Sequence, residues 1–161
     1  MLMMRTMTKP RLELDIQFAL KTKGMPRRRD FRRWAKAALQ TDAVVALRVV
    51  DKAEGRSLNR QYRGKDYATN VLTFAYGSAA QGEPISGDIV ICAPVAAREA
   101  SEQGISLEAH YAHLAVHGML HLQGYDHEND GDAVIMESIE SFIMRRLGYA
   151  DPYVDTLPVN T

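Results

Sequence analysis

Three histidines in the last third of the chain have the spacing of a metal site. His117, His121 and His127 lie at positions i, i+4 and i+10, with Gly124 between the second and the third. Residues four apart share one face of an α-helix, so His117 and His121 can aim at one point. Gly124 can end the helix in the left-handed conformation and let the chain fold back to bring in His127. Three neutral imidazoles with an open fourth position are typical of catalytic zinc, and we take this group as the candidate catalytic centre.

Two further histidines lie earlier on the same predicted helix. His113 precedes His117 by one turn on the same face and is a rival ligand, but its use would leave out His117 or crowd the site. We therefore expect His113 to pack beside the site or to support it, and we assign no role to His110. An all-imidazole set also suits nickel or copper, so the sequence favours zinc without excluding another divalent metal.

The same histidine spacing occurs in the metzincin peptidases, which differ at one position. Those enzymes place a glutamate directly after the first histidine as the general base. Here that position is Gly118. A peptidase with glycine there lacks the group that activates its water, so a zinc metallopeptidase is the alternative and not the favoured function. A bound metal can still lower the pKa of a water to about 7 without a neighbouring carboxylate.

Charge is distributed unevenly although the net charge is zero. Residues 1–65 contain 17 Lys or Arg against 6 Asp or Glu, a balance of +11, and residues 66–161 carry the opposite balance of −11. A basic half beside a metal half suggests a polyanionic substrate, although solvated helix faces that segregate along the chain are an equal explanation. One face of the helix predicted at 27–39 carries five of the cations: Arg28, Arg29, Arg32, Arg33 and Lys36.

Composition places the chain among ordinary globular proteins. The one cysteine, Cys92, excludes an internal disulfide, suits a reducing compartment and follows an apolar run, so we expect a buried structural thiol. Residues 1–10 have no signal-peptide pattern, and no segment approaches 18 apolar residues. We therefore expect a cytoplasmic protein that does not bind membranes.

Periodicity predicts four strands and five helices. The strands are predicted at 11–18, 43–50, 71–76 and 87–91, the last being continuously apolar and so central; the helices are predicted at 27–39, 52–62, 94–103, 107–122 and 132–147. We expect Trp34 to pack in the core. The last helix is predicted to cover the site with an apolar stripe of Val134, Ile135, Ile139, Phe142, Ile143 and Leu147.

This order of elements, with the helices clustered late, predicts an α+β fold. A single mixed four-stranded sheet should pack against about five helices, with the metal site on a central buried helix. We expect one domain over residues 11–153, an N-terminal extension over residues 1–10 that is disordered, and a loosely held tail over residues 154–161.

Three blocks of the sequence resemble the YbeY family of bacterial endoribonucleases, the 16S rRNA maturation factors. The blocks are Tyr62-Arg-Gly-Lys-Asp-Tyr-Ala-Thr-Asn-Val-Leu-Thr-Phe74, Gly87-Asp-Ile-Val-Ile91 and Glu108-Ala-His-Tyr-Ala-His-Leu-Ala-Val-His-Gly-Met-Leu-His-Leu-Gln-Gly-Tyr-Asp-His127. The ending Leu147-Gly-Tyr-Ala-Asp-Pro-Tyr153 is also similar, so the resemblance spans roughly residues 55–153. Ala68 and Ala75 stand where the family often has proline, which removes no reactive group.

The resemblance implies a single-strand-specific, metal-dependent endoribonuclease that acts in 16S rRNA 3′-end maturation and ribosome quality control. It implies one zinc ion on His117, His121 and His127, and it implies Arg63 as the functional basic residue. The implied partners are single-stranded RNA, the small ribosomal subunit, the Era GTPase and a small-subunit ribosomal protein. A ribosome assembly factor with a structural metal and little nuclease activity remains a further alternative.

The residues suggest how such a site cleaves a phosphodiester. We assign Arg63 and His117 to catalysis: the guanidinium of Arg63 offers a planar fork of donors to phosphate oxygens, and His117 also binds the metal. Lys65 is a weaker candidate for phosphate contact. Asp126 either orients an imidazole or caps the loop. The sequence identifies no general base, so water and the RNA 2′-hydroxyl both remain possible nucleophiles.

Overall fold

The structure, a computed structural model, describes residues 9–76 and 82–154. The helices and strands found there confirm the predicted element order and fold class, with bounds that differ from the predictions by at most two residues. In chain order they are β1 (Leu12–Phe18), α1 (Arg28–Ala37), β2 (Ala43–Val50), α2 (Lys52–Arg63), β3 (Val71–Ala75), β4 (Ile85–Cys92), α3 (Ala93–Gln103), α4 (Leu107–Leu122) and α5 (Asp130–Arg146). Residues 1–8 of the predicted extension and 155–161 of the predicted tail lie outside the described residues.

The strands form one mixed sheet in the order β1-β2-β4-β3. β1 pairs with β2, and β2 with β4, in parallel, whereas β3 pairs with β4 antiparallel. β4 therefore lies inside the sheet, as its continuous apolar run predicted, and β3 forms an edge. Trp34 is 0% exposed in the main core and Cys92 is buried at 2%, so both burial predictions are confirmed.

Two glycines bring α4 close to the centre of the sheet. A Cβ on Gly87 of β4 would lie 2.6 Å from Leu122, and one on Gly118 of α4 would lie 3.0 Å from Ile89. Neither position can hold a side chain without a shift of its neighbours, since real Cβ atoms avoid such distances. The second half of α4, which carries two of the candidate ligands, is therefore fixed directly against β4.

The last helix packs with only part of the apolar stripe that the sequence predicted. Val134, Ile135 and Phe142 of the predicted apolar stripe are exposed at 64%, 55% and 53%. Ile143 of the stripe is buried, and Ile139 and Leu147 pack against the core. The other buried residues of α5 are Met136, Glu140, Ser141 and Met144. The prediction was wrong for the three exposed residues because it considered only apolar residues. The inward face of the helix also includes the buried carboxylate of Glu140, whose contacts help to set the rotation of the helix. No helix among the described residues has the length and apolar character needed to cross a membrane.

Candidate metal centre

The three predicted ligands converge at the C-terminal end of α4. One ring nitrogen from each of His117, His121 and His127 lies within 4.8 Å of the other two. The ring centroids are 5.2 Å apart for His117 and His121, 5.5 Å for His117 and His127, and 5.2 Å for His121 and His127. Two of the rings are half-buried and that of His127 is exposed, so the group faces the surface on one side. The arrangement fits an imidazole-bound transition metal that keeps an open position.

The loop after α4 brings in the third histidine by backbone means. Gly124 has φ +102°, a conformation that favours glycine, and it turns the chain after the helix as its position predicted. The carboxylate of Asp126 accepts a hydrogen bond from the backbone N–H of His127 at 2.7 Å. Of the two roles considered for Asp126, this contact is that of a loop cap, and it holds the His127 backbone in place.

Glu140 of α5 orients His117. Its Oε2 lies 3.0 Å from Nδ1 of His117, which leaves Nε2 of that ring free to face the other two histidines. A carboxylate that accepts the N–H of one imidazole nitrogen fixes the tautomer and makes the other nitrogen the ligand. This carboxylate–imidazole pair is the observation that best fits the residues to a bound metal.

The same carboxylate joins two more side chains behind the site. Oε1 of Glu140 lies 2.5 Å from Nε2 of His113 and accepts a hydrogen bond from the hydroxyl of Tyr153 at 2.9 Å. Burial raises the pKa of Glu140, but the hydrogen bonds from His113 and His117 outweigh it and lower the pKa to about 2. Glu140 therefore stays ionised, fully buried, and supplies a fixed negative charge behind His117.

Burial and neighbouring charges favour the neutral form of a second candidate ligand, His121. Burial lowers the pKa of His121, and the rings of His117 and His127 lower it further. The positive charge of Arg63 acts in the same direction. Arg63 donates to Thr73, which pairs with Ile89 across the sheet, and Ile89 lies against Gly118 between the two histidines of α4. A neutral imidazole has the lone pair that a metal needs.

Arg63 is placed beside the histidines by the end of α2 and the edge strand. It is the last residue of the helix, which Gly64 closes in the left-handed conformation with φ +70°. Its guanidinium donates to the carbonyl of Thr73 in β3 at 3.0 Å and is otherwise exposed. One N–H of the fork is thereby anchored, and the others remain available to an anion.

Side chains of α2 hold the polar loop after Arg63 through hydrogen bonds. Buried Asn59 donates from its amide to the carbonyl of Tyr67 at 2.8 Å, and Arg56 binds Asp66 through two hydrogen bonds at 2.8 and 3.0 Å. Lys65, the weaker candidate for phosphate contact, is exposed and contributes its backbone N–H to the end of α2. The loop is thus a fixed rim to the site.

The other two histidines of α4 lie outside the convergent group. His113 contacts Glu140 and Tyr153, which agrees with a supporting role. His110 is 4% exposed, and its Nε2 lies 2.9 Å from the carboxylate of Glu99. The sequence assigned no role to His110; the structure places it in a buried pair at the other end of the helix.

Packing against the sheet explains why position 118 is a glycine, and it also bears on the peptidase alternative. Its Cα faces Ile89 of the sheet, where an added Cβ would already be too close. A glutamate in this position would point into the core and away from the histidines. The site therefore lacks the metzincin base and also the space for it.

Glu140 is the residue of the candidate centre that the sequence analysis missed. The available signal was an acidic residue in helical register with Met136 and Met144, four residues away on either side. A carboxylate on a buried helix face is rare unless it is paired, so this pattern predicts a partner such as histidine.

Comparison with known proteins supports the same family as the sequence blocks. The family described as Endoribonuclease YbeY matches residues 16–148. A relative of that name from Methylobacillus flagellatus is 59% identical over 145 residues, which cover 89% of this chain and 95% of the relative. One from Nitrosomonas europaea is 57% identical over 143 residues, covering 89% and 85%.

A solved structure extends the agreement to the fold. The solution structure of a protein from Thermotoga maritima superposes with a TM-score of 0.54 and 24% identity, over 92% of this chain and 99% of the other. At that identity the likeness speaks for the fold alone. The family match over most of the chain and the high identity to its members are decisive: this chain belongs to the YbeY family of endoribonucleases.

Proposed function

We propose that this protein is a metal-dependent, single-strand-specific endoribonuclease, with zinc held by His117, His121 and His127. The observation that carries the proposal is the convergence of three imidazoles, one fixed by Glu140, beside the exposed guanidinium of Arg63. This arrangement suits a phosphodiester, which needs charge neutralisation at its non-bridging oxygens. Family membership favours RNA over other phosphodiesters.

Each residue of the chain has a distinct part in this proposal. A bound zinc supplies Lewis acidity toward a phosphoryl oxygen and lowers the pKa of water. Arg63, anchored on Thr73, offers its remaining donors to the phosphate oxygens and balances the negative charge that develops there. Glu140 holds the proton on Nδ1 of His117 and keeps the opposite nitrogen directed at the site.

The shape of the rim supports the proposed single-strand preference. His127 is exposed and Arg63 lies at the sheet edge, so a phosphate can reach both from the surface. A flexible strand can bend one phosphate into this corner, whereas a duplex holds its phosphates on a stiff cylinder. We propose that the substrate in the cell is 16S rRNA of the small subunit, with roles in 3′-end maturation and ribosome quality control in the cytoplasm. The Era GTPase and a small-subunit ribosomal protein are the proposed partners that deliver it.

A cleavage assay tests the proposal directly. Purified protein is incubated with single-stranded RNA, duplex RNA of the same sequence and casein, before and after chelation, and zinc is then added back. The expected result is cleavage of the single strand only, lost with the chelator and restored by the metal. Elemental analysis of the same preparation identifies the ion and its stoichiometry. Casein hydrolysis, or RNA cleavage that survives chelation, contradicts the proposal.

A second comparison separates an enzyme from an assembly factor. In cells that depend on this protein, Arg63→Ala is compared with wild type for 16S rRNA 3′-end processing. The exposed Arg63 makes one described side-chain hydrogen bond, so its loss should leave folding and metal binding intact. Normal processing by the variant would mean that the protein acts without cleaving RNA.

A further inference from the structure

A groove separate from the candidate metal centre lies on the face of the sheet opposite α4. It has a volume of about 630 Å³ and is bounded by α2 and by the neighbouring strands. Its wall residues Asp88 and Val90 alternate along β4 with Gly87 and Ile89, which face α4. Alternation along a strand places them on the other side of the sheet. None of the metal-centre histidines lines this groove, which we call the sheet groove.

Aromatic rings form much of the sheet groove. Tyr62 and Tyr76 are exposed at 60% and 57%, and Phe74 also lines the groove. The rings of Tyr62 and Phe74 meet at an angle of 64° with centroids 5.3 Å apart. Exposed rings around a concave apolar floor offer flat faces to another planar ring.

The charged groups of the groove do not suit a phosphate. Glu54 binds the guanidinium of Arg48 through two hydrogen bonds of 2.6 and 3.0 Å, so this cation is already neutralised. Asp88 adds a carboxylate, which would repel a phosphate. One oxygen of Asp88 accepts the Tyr76 hydroxyl, and the other has no hydrogen-bond partner among the described residues. An uncharged ring that carries N–H donors fits this lining better than an anion.

The sheet groove adjoins the metal centre across the edge strand. Tyr62 directly precedes Arg63, and Phe74 directly follows Thr73, the residue whose carbonyl anchors the Arg63 guanidinium. Because β3 is the last strand of the sheet, a chain that crosses Arg63 meets the groove without an intervening strand. One nucleic acid strand can therefore contact both places.

We propose that the sheet groove binds one unpaired nucleobase of the RNA strand whose backbone lies at Arg63. The base stacks on Tyr62 or Tyr76 and donates an exocyclic amino group to Asp88. Adenine, cytosine and guanine have such a group and uracil does not. This inference rests on the proposed ribonuclease function and adds to it a subsite with a base preference.

Nucleosides test the groove without any cleavage. Cytidine, adenosine and uridine are titrated separately into the metal-loaded wild-type protein, and the ring signals of Tyr62 and Tyr76 are followed by NMR. Cytidine and adenosine should shift these signals, and uridine should bind at least severalfold more weakly. Equal effects of all three, or no shift at the two tyrosines, overturns the base assignment.

Variants then test the groove in the reaction. Tyr76→Leu should raise the KM for a single-stranded oligonucleotide about tenfold with little change in kcat, since base stacking contributes equally before and during the reaction. Asp88→Asn should reduce the preference for amino-bearing bases. Phe142→Leu is the matched control, because Phe142 is similarly exposed at 53% but lies on α5. A KM unchanged in both groove variants overturns the proposal and leaves the groove to a protein partner.

The two proposals can fail separately. Wild-type protein that cleaves RNA but shows no nucleoside shift retains the ribonuclease function and loses the base subsite. Protein that binds nucleosides in the groove but cleaves no RNA retains the subsite and loses the ribonuclease. An oligonucleotide with an abasic nucleotide near the cleaved bond adds a final check. Loss of the base should weaken binding to the wild-type protein, and it should have little further effect on binding to Tyr76→Leu, which already lacks the stacking ring.

Discussion

The two halves of α4 both contain histidine, but the histidines have different surroundings. In the first half, His110 is 4% exposed, pairs with Glu99 through Nε2, and its Nδ1 is buried without a hydrogen-bond partner in the described part of the chain. In the second half, His117 also pairs with a carboxylate, but its free nitrogen meets two more imidazoles. A carboxylate-paired histidine is thus a candidate ligand only where the helix end brings further donors to an open surface.

The largest difference between the halves should appear on removal of a ligand. His121→Ala takes away one of three imidazoles and should abolish zinc binding and lower the rate of RNA cleavage by about a thousandfold or more. His110→Ala is its matched control in the first half. It should keep the metal and the cleavage activity while it loses thermal stability, because Glu99 loses a buried partner. Metal content by elemental analysis, cleavage rate and melting temperature are measured for both, and a metal-free His110→Ala would break the comparison.

Arg63→Ala should give the next largest effect, and only on catalysis. We expect cleavage to fall by about a hundred- to a thousandfold, since a donor to the developing phosphate charge is lost. Metal content and melting temperature should stay the same. Arg63→Lys should recover part of the rate because it keeps the charge but not the planar fork.

The control for this prediction lies one turn earlier on the same helix. Arg60→Ala removes another exposed cation of α2 from outside the histidine group. It should affect cleavage little at moderate salt. An equal loss in Arg60→Ala would mean that general basic charge, and not the placement of Arg63, accounts for the effect.

Glu140→Gln sharpens the comparison at the level of orientation. The amide can still accept the His117 N–H but has no charge, so zinc affinity should weaken by about ten- to a hundredfold. Competition with a chelating dye measures this, and excess zinc should restore most of the cleavage. Glu137→Gln, one turn earlier on α5 and without a described hydrogen bond to a histidine, is the matched control. Unchanged zinc affinity in Glu140→Gln would reduce the carboxylate to a packing role.

How far the sequence predicted this molecule depends on how local each signal was. The strands, the helices and the convergence of His117 with His121 follow from periodicities within one element, and Gly124 indicated the return to His127. The partner of His117 lies 23 residues away on another helix, and the rotation of α5 that presents it depends on tertiary packing. Because Val134 and Ile135 are apolar, periodicity placed them in the inward stripe, where they do not belong, and left out Glu140, which does belong there.

The sheet groove was out of reach for a related reason. Tyr62, Phe74 and Asp88 come from three elements, and each has an ordinary local interpretation in the sequence. Only the strand order β2-β4-β3 places them around one cavity. Such a site is a property of the topology, which single-element patterns do not specify.

The smallest predicted effect concerns the first half of α4 and appears as a pH dependence of the free energy of unfolding. Burial raises the pKa of Tyr111 from 10.0 to about 12, and the neighbouring Cys92 acts in the same direction. Between these pH values the unfolded chain loses the phenol proton while the folded chain keeps it, so the free energy of unfolding must fall as pH rises.

The full fall in the free energy of unfolding is no more than about 2–3 kcal/mol. Urea unfolding of metal-free protein at pH 9 and pH 11 measures roughly half of this change, because pH 11 lies one unit above the unfolded pKa and one unit below the folded pKa. Tyr111→Phe should show a smaller decline because it lacks this phenol. Some decline should remain, since Tyr76 and Tyr149, whose pKa values are also raised, are present in both proteins. Identical declines would mean that Tyr111 ionises as readily in the folded protein as in the unfolded chain, and that solvent reaches the first half of α4 more easily than its packing indicates.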